Sequence, residues 1–403
     1  MAIIHPFKGW LPEPEKVDEV ACVPYDVIST EEAAQLAQGK PDSFLHVIRP
    51  EIDVSPGTDI YDDTVYKKGE ENLKRLLNSG IYKQDEKNAI YIYQLEAASH
   101  TQTGVFTCAS VQDYDDDVIL KHELTRPDKE DDRTRHILTQ QAHAEPVMLT
   151  FDDTSDITFH IEKLTLTQPP IIEHTGEHGV IHRIWKTFDT VDFVEGFSAI
   201  RNFYVADGHH RCKSASRVAE VLRNQRKSRP GEEEFEYFPV VLFPMNQMKI
   251  MPYNRVLKNV TPETVELLSE KFGAVATDQK MPPESGMVCF YYNRNWYMMK
   301  LPAAIDDNVV SALDVSKLQN NILEPLFGIK NPRTDKNINF VGGIRGTSEL
   351  EKLVDNKIYD LAFSMYPTSI SELIKVSDHG ELMPPKSTWF EPKIKSGLII
   401  HTF

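Results

Sequence analysis

Between residues 203 and 227 the hydrophobic period switches abruptly. Phe203-Tyr204-Val205-Ala206 is a short apolar run of strand length, bounded by a compact polar pentapeptide, Asp207-Gly208-His209-His210-Arg211. Beyond it Cys212, Ala215, Val218, Ala219 and Leu222 recur at helical spacing, with Val221 off the centre of that stripe. A strand that hands over to a buried-face helix through five polar residues restricts the chain to a fold with a strand–turn–helix unit. Its turn must sit at the rim of a sheet.

The chemistry of that turn follows from its residues. Gly208 allows a tight backbone path, the first N–H groups of the next helix suit an anion, and Arg211 can grip a phosphate with two parallel hydrogen bonds. His209 or His210 could contact a phosphoryl oxygen or exchange a proton near neutral pH, and Asp207 could orient an imidazole or organise a magnesium-bound ligand. The same residues also suit a capped helix closed by an Asp207–Arg211 salt bridge. Two adjacent histidines without third and fourth ligands do not define zinc, and no metal ligand set is assigned.

A second charged cluster runs from His122-Glu123 through Arg126 to Asp131-Asp132-Arg133-Thr134-Arg135-His136. Arg126, Arg133 and Arg135 could cradle phosphates, and Glu123 could accept a proton. A solvated helix with internal ion pairs is the alternative. His174, His178 and His182 are spaced by four, but Gly176 and Gly179 interrupt any helix there. The glycines around Arg345 in Val341–Gly346 could form a phosphate nest or a plain turn. Lys386, Ser387, Thr388 and Glu391 could bind a polar substrate, or follow Pro384 and Pro385 as a fixed turn.

Elsewhere the pattern alternates. Thr30 to Gly39 predicts a helix with its stop, FLHVI (44–48) a strand, KKGEENLKRLLNSG (67–80) a helix, and the pair 89–97 and 104–115 two strands joined by a turn. Residues 239–245, 287–292 and 296–301 read as further strands. The implied class is mixed α/β, with no low-complexity linker and no long repeat.

With 44 Lys+Arg against 61 Asp+Glu, the formal charge of −17 gives no broad attraction to nucleic acid or an anionic membrane. The four cysteines are scattered without a CxxC pair, which points to a reducing cytoplasm rather than a disulfide scaffold. No apolar stretch approaches membrane-spanning length.

HELTRPDKEDDRTRH (122–136), FYVADGHHR (203–211) and MPPKSTWFEPKIKSGLIIH (383–401) closely resemble the DUF1015 family. CVPYDV (22–27), NRV (254–256) and VGGIRG (341–346) extend that resemblance over nearly the whole chain. The ADGHHR segment further resembles the phosphate-binding strand–turn–helix of the ParB, sulfiredoxin and free-serine-kinase superfamily. No ParB DNA-binding module is evident, and Cys212 follows Arg211 rather than taking the catalytic place of the sulfiredoxin cysteine, so neither of those activities is carried over.

The resemblance implies a ParB-like core over residues 1–225 with an insertion around 121–202, and a C-terminal α/β domain over 226–403 that contributes site loops. It implies a nucleotide-dependent phosphotransferase acting on the hydroxyl of a small amino acid such as serine, using ATP or ADP with Mg²⁺ and no zinc or redox cofactor. Asp207, His209, His210 and Glu123 are the candidate catalytic residues. Gly208, Arg211, Arg126, Arg133, Arg135, Arg345 and Lys386 are the candidate cofactor-binding residues. Alternatives are a phosphoserine-directed phosphatase and a non-enzymatic nucleotide-binding regulator. Expected partners are a small phosphorylated or hydroxylated amino acid and a second copy of the chain in a homo-oligomer, without nucleic acid or membrane.

Overall fold

The computed structural model describes residues 1–154 and 156–403. They form two compact units: Met1–Lys121, Thr125–Met248 and Pro392–Phe403 make the first, His122–Leu124 and Lys249–Glu391 the second.

The first unit is built on a nine-stranded mixed sheet. In chain order its strands are β1 (Ile4–His5), β2 (Ile90–Ala97), β3 (His100–Ser110), β4 (Ile119–Leu120), β5 (Val147–Phe151), β6 (Ile172–Thr175), β7 (Ile181–Thr187), β8 (Phe203–Asp207) and β9 (Tyr237–Pro244). Across the sheet they lie β4-β8-β5-β9-β3-β2-β7-β6, with β1 on β3. β8 runs parallel to β4, and β9 to β5; the other pairs are antiparallel. Ile90 and Ile92 enter a core with Val105, Leu149, Val205 and Leu242, while the alternating Tyr91 and Tyr93 are buried as well. Burial on both faces is why β2 reads as a nearly continuous apolar run.

Six helices of the first unit bear on the argument: α1 (Thr30–Ala37), α2 (Asp63–Asn78), α3 (Pro127–Gln140), α4 (Ile157–Thr167), α5 (Val191–Ser198) and α6 (His209–Arg226). α1 starts where expected, with Ser29 and Glu32 forming a reciprocal capping box. The predicted stripe of α6 is buried at all five positions.

One expectation is corrected. FLHVI is not a strand: Leu45–Ile48 is a single helical turn, with Leu45, Val47 and Ile48 all buried. A short apolar run buried on every side carries no period to separate strand from helix. The first unit runs past residue 225. β9 lies inside the large sheet between β5 and β3, so the first unit continues to Met248, and the chain returns to it at Pro392.

The second unit carries an antiparallel six-stranded sheet: β10 (Tyr253–Leu257), β11 (Val275–Ala276), β12 (Met287–Tyr292), β13 (Asn295–Lys300), β14 (Ile338–Gly342) and β15 (Leu361–Met365), ordered β11-β13-β12-β15-β10-β14. Its helices include α7 (Pro262–Phe272), α8 (Gly346–Asp355) and α9 (Ile370–Asp378). Among the described residues no helix is long and apolar enough to cross a membrane.

Candidate functional site

The strand–turn–helix predicted from the period switch is present. The register between β8 and β5 slips between Val205 and Asp207, so one extra residue is accommodated before the turn; such bulges re-aim the side chain that follows. Gly208 takes φ +106, in a region that a side chain would strain, and α6 begins at once with His209.

The residues of the turn are held from several distant segments. Asp207 Oδ2 accepts from Lys393 Nζ at 3.1 Å and lies 3.7 Å from the Arg211 guanidinium. Burial alone would raise the Asp207 carboxyl, but Lys393 and Arg211 outweigh it and leave a pKa of about 2. Asp207 is therefore a fixed anion at neutral pH and a poor proton acceptor. Arg211 is only 6% exposed. It donates through Nη1 to the Pro146 carbonyl and has Asp26 at 3.8 Å. Its Nε and Nη2 make no hydrogen bond among the described residues.

Beside it lies a cavity of about 30 Å³ whose lining includes Arg133, His136, Gln140, His143, Glu145 and Arg211, room for a water or two. Glu145 accepts from the Tyr25 N–H at 3.1 Å and from Ser396 Oγ at 3.0 Å. Burial raises the Glu145 carboxyl, against the pull of Arg211 and Arg133.

The order of the side-chain ties shows how α3 and α6 are set. The Arg126 N–H donates to His210 Nε2 at 3.1 Å, Ser214 Oγ donates to the Glu130 carbonyl at 3.2 Å, and Arg217 reaches Asp131 at 2.6 Å. Numbers rise together along both helices, so the helices run parallel and their N-termini lie together. Side-by-side parallel dipoles repel, and the joint N-terminal end carries a positive potential that a bound anion relieves. The bond from Arg126 also requires His210 Nε2 to be an acceptor, which places the proton of a neutral ring on Nδ1.

Of the other predicted residues, Arg133 is buried, bonds Asp132 through Nε and Nη2 at 3.0 and 2.8 Å, and its guanidinium lies 4.2 Å from the centre of the Tyr25 ring. Arg126 is exposed and pairs with Asp128 at 2.8 Å. Arg135 turns away to Asp63 at 2.5 Å and the Tyr66 ring. The three arginines of this cluster thus do not converge: only Arg133 reaches the Arg211 cavity. His174 and His182 face each other across β6 and β7, and His178 sits in the exposed turn between them. Glu123, Arg345 and Lys386 belong to the second unit.

The family model described as "Protein of unknown function (DUF1015)" matches residues 4–316. The chain belongs to the DUF1015 family. Val341–Gly346 and residues 383–401, which resemble the family by motif, lie beyond the matched stretch.

This DUF1015 protein is similar to a C-terminally truncated SbnI from Staphylococcus aureus, at 14% identity over 72% of this chain and 85% of that one, with a TM-score of 0.36. It is similar to a free serine kinase in complex with AMP, at 14% identity over 73% and 92% of the two chains and a TM-score of 0.35. A conserved hypothetical protein from Pyrococcus furiosus shares 13% identity over 73% and 95%, with a TM-score of 0.34. No curated protein matches the DUF1015 chain at a significant level.

Three members of the Arg211 network were not singled out from sequence: Asp26, Glu145 and Lys393. Asp26 stands inside the CVPYDV motif and Lys393 inside the 383–401 motif, so both carried a family signal but no chemical one. Glu145 carried neither.

Proposed function

We propose that this DUF1015 protein is a nucleotide-dependent phosphotransferase that holds a nucleotide phosphate at the joined N-termini of α3 and α6. The observation that carries the reading is the Arg126 N–H bond to His210, which sets two positive helix ends beside a buried Arg211 with N–H groups to spare. The resemblance of ADGHHR to the phosphate-binding turn of the free-serine-kinase superfamily supports a nucleotide as the donor and a small hydroxylated amino acid, such as serine, as the acceptor.

Phosphoryl transfer asks the protein mainly for positioning and for charge at the moving group. Gly208 lets the backbone approach the phosphate, Arg211 and the α6 N-terminus take its charge, and His209 and His210 stand at that N-terminus. Asp207, compensated by Lys393 and Arg211, fixes the guanidinium rather than moving a proton. Magnesium fits as the companion of the nucleotide's phosphates, neutralising part of their charge. Asp26, the exposed carboxylate of this network, would be the residue to hold it. Glu123 enters as the proton acceptor from the sequence alone.

The test incubates the protein with ATP or ADP and a panel of small hydroxylated amino acids, identifies products by mass spectrometry, and measures nucleotide affinity by calorimetry. Arg211→Lys, which keeps the charge but loses the fork, is expected to weaken nucleotide binding at least tenfold, about 1.4 kcal/mol, with folding retained. Phosphate release from phosphoserine without nucleotide would replace the reading by a phosphatase. Stoichiometric nucleotide binding without turnover would replace it by a regulator. Unchanged affinity and rate in a folded Arg211→Lys protein would remove the site.

A further inference from the structure

The cavity beside Arg211 collects polar side chains that the fold does not fully pair. α3 lines it with Arg133, His136, Ile137 and Gln140, one stripe of the helix, and the segment leading into β5 adds His143 and Glu145. His136 and His143 are only 5% and 4% exposed. Nδ1 of His136, Nε2 of His143, and Nε and Nη2 of Arg211 make no hydrogen bond among the described residues. Both hydrogen bonds that Glu145 accepts, from the Tyr25 N–H and from Ser396 Oγ, fall on Oε1, which leaves Oε2 as an acceptor. A buried polar atom without a partner is costly, and four side chains lining one space carry such atoms.

The chemistry of these atoms selects the occupant. Burial, with Arg133 nearby, pushes the His136 imidazole well below its usual pKa, and burial does the same to His143. Both rings are therefore neutral at pH 7, each with one N–H donor and one bare nitrogen that accepts. Arg211 only donates, and a carboxylate at Glu145 only accepts. An anion in the cavity would face Glu145, and a cation would face the guanidiniums of Arg133 and Arg211. A neutral molecule that both donates and accepts meets every demand. The space of about 30 Å³ is the size of one or two waters. Arg211 and Arg133 pull the Glu145 carboxyl down, yet among the described residues neither comes within ion-pair distance of it, so a water here has a gap to span.

We propose that this cavity is a built hydration site, in which one or two waters bridge His136 and His143 to Glu145 and Arg211. The water accepts an N–H of Arg211 and donates a hydrogen to Glu145, joining two groups of opposite charge across the interior. Arg211 has five N–H donors and gives one to the Pro146 carbonyl, so it serves the water and keeps donors for a phosphate. The waters thus brace the guanidinium from inside the first unit, whatever ligand the turn takes.

The experiment determines a crystal structure of the full chain without nucleotide, finely enough to place buried waters, and measures His136→Phe, His143→Phe and the double variant by urea denaturation. Density for a water within hydrogen-bond distance of at least two of His136, His143, Glu145 and Arg211 is expected. In a wet cavity each single substitution takes a partner from the water and is expected to shift the folding equilibrium toward the unfolded state about tenfold. The double variant is expected to fall short of the product of the two by about threefold or more, because both act on the same water. In a dry cavity a ring carbon replaces an unpaired nitrogen, and stability stays equal or rises. Equal or higher stability in both single variants, strictly additive losses, or a cavity free of density would each overturn the proposal. Crystals grown in bromide test the class of ligand: an anomalous peak in the cavity would make it an anion site and overturn the assignment to water. If a variant fails to fold, the density in the wild type decides. Nucleotide enters none of these readouts, so the hydration site stands or falls apart from the phosphotransferase reading.

Discussion

Lys393→Met probes the electrostatic support of the candidate site without touching the turn itself. In the wild type Lys393 Nζ donates to Asp207 Oδ2 at 3.1 Å, with both side chains largely buried, 17% and 23% exposed. The Asp207 carboxyl falls from its usual 3.8 to about 2, which corresponds to about 2 kcal/mol of native-state stability at neutral pH. The sign follows from the direction: a depressed carboxyl stabilises the fold above its unfolded value and loses that contribution as pH drops from 3.8 toward 2. Without the ammonium, Arg211 at 3.7 Å remains as the neighbouring cation, and burial pushes the carboxyl back up. Lys393→Met is therefore expected to lose about 2 kcal/mol near neutral pH, and the deficit should shrink as acid protonates Asp207. Urea denaturation across the acid limb measures the difference, and hydrogen exchange in β5 and β8 assigns it to the first unit. A deficit below about 0.5 kcal/mol at neutral pH, within the range of an ordinary surface substitution, would refute the account. So would a deficit that stays constant through the acid limb.

Glu234 offers a second pH test. His401 and His5 hydrogen-bond its two oxygens, each at 3.2 Å, and hold its carboxyl down to about 2. The stabilisation is present above the usual 4.5 and is lost as pH falls toward 2. Glu234→Gln should accelerate amide exchange where residues 401–402 pair with 142–143, and should flatten the pH dependence of that exchange over the same window. Gly342 lies against the Trp389 indole so closely that a Cβ would meet Cε3 at 2.7 Å. Gly342→Ala should cost about 1–3 kcal/mol and shift the emission of Trp389, measured by fluorescence-detected denaturation; an unchanged midpoint would mean that the indole yields freely.

How far the sequence carried depends on whether a feature is local. The strand, turn and helix around Asp207–Arg211 were legible because each rests on spacing within a few residues, and the stripe from Cys212 to Leu222 is buried as its period required. The hairpin of β2 and β3 was legible for the same reason. Its second predicted strand ran on to residue 115, whereas the chain turns at Ser110, whose side chain caps the helical turn Val111–Asp115. Residues 44–48 failed because Leu45, Val47 and Ile48 are enclosed on every side, which erases the period by which a strand differs from a helix.

Arg211 marks the other limit. Sequence could say that an arginine after two histidines suits an anion; it could not say that the residue would be buried, tied to the Pro146 carbonyl, and flanked by carboxylates at 3.7 and 3.8 Å. Those distances exceed hydrogen-bond length. Asp26 and Asp207 therefore balance the charge of the guanidinium without consuming the N–H groups of Nε and Nη2. A salt bridge that only closed a helix cap would have used them. An arginine charge-balanced by acids yet left with donors to spare is what the proposed phosphate site requires, and this separates Arg211 from Arg133, whose Nε and Nη2 are both bonded to Asp132.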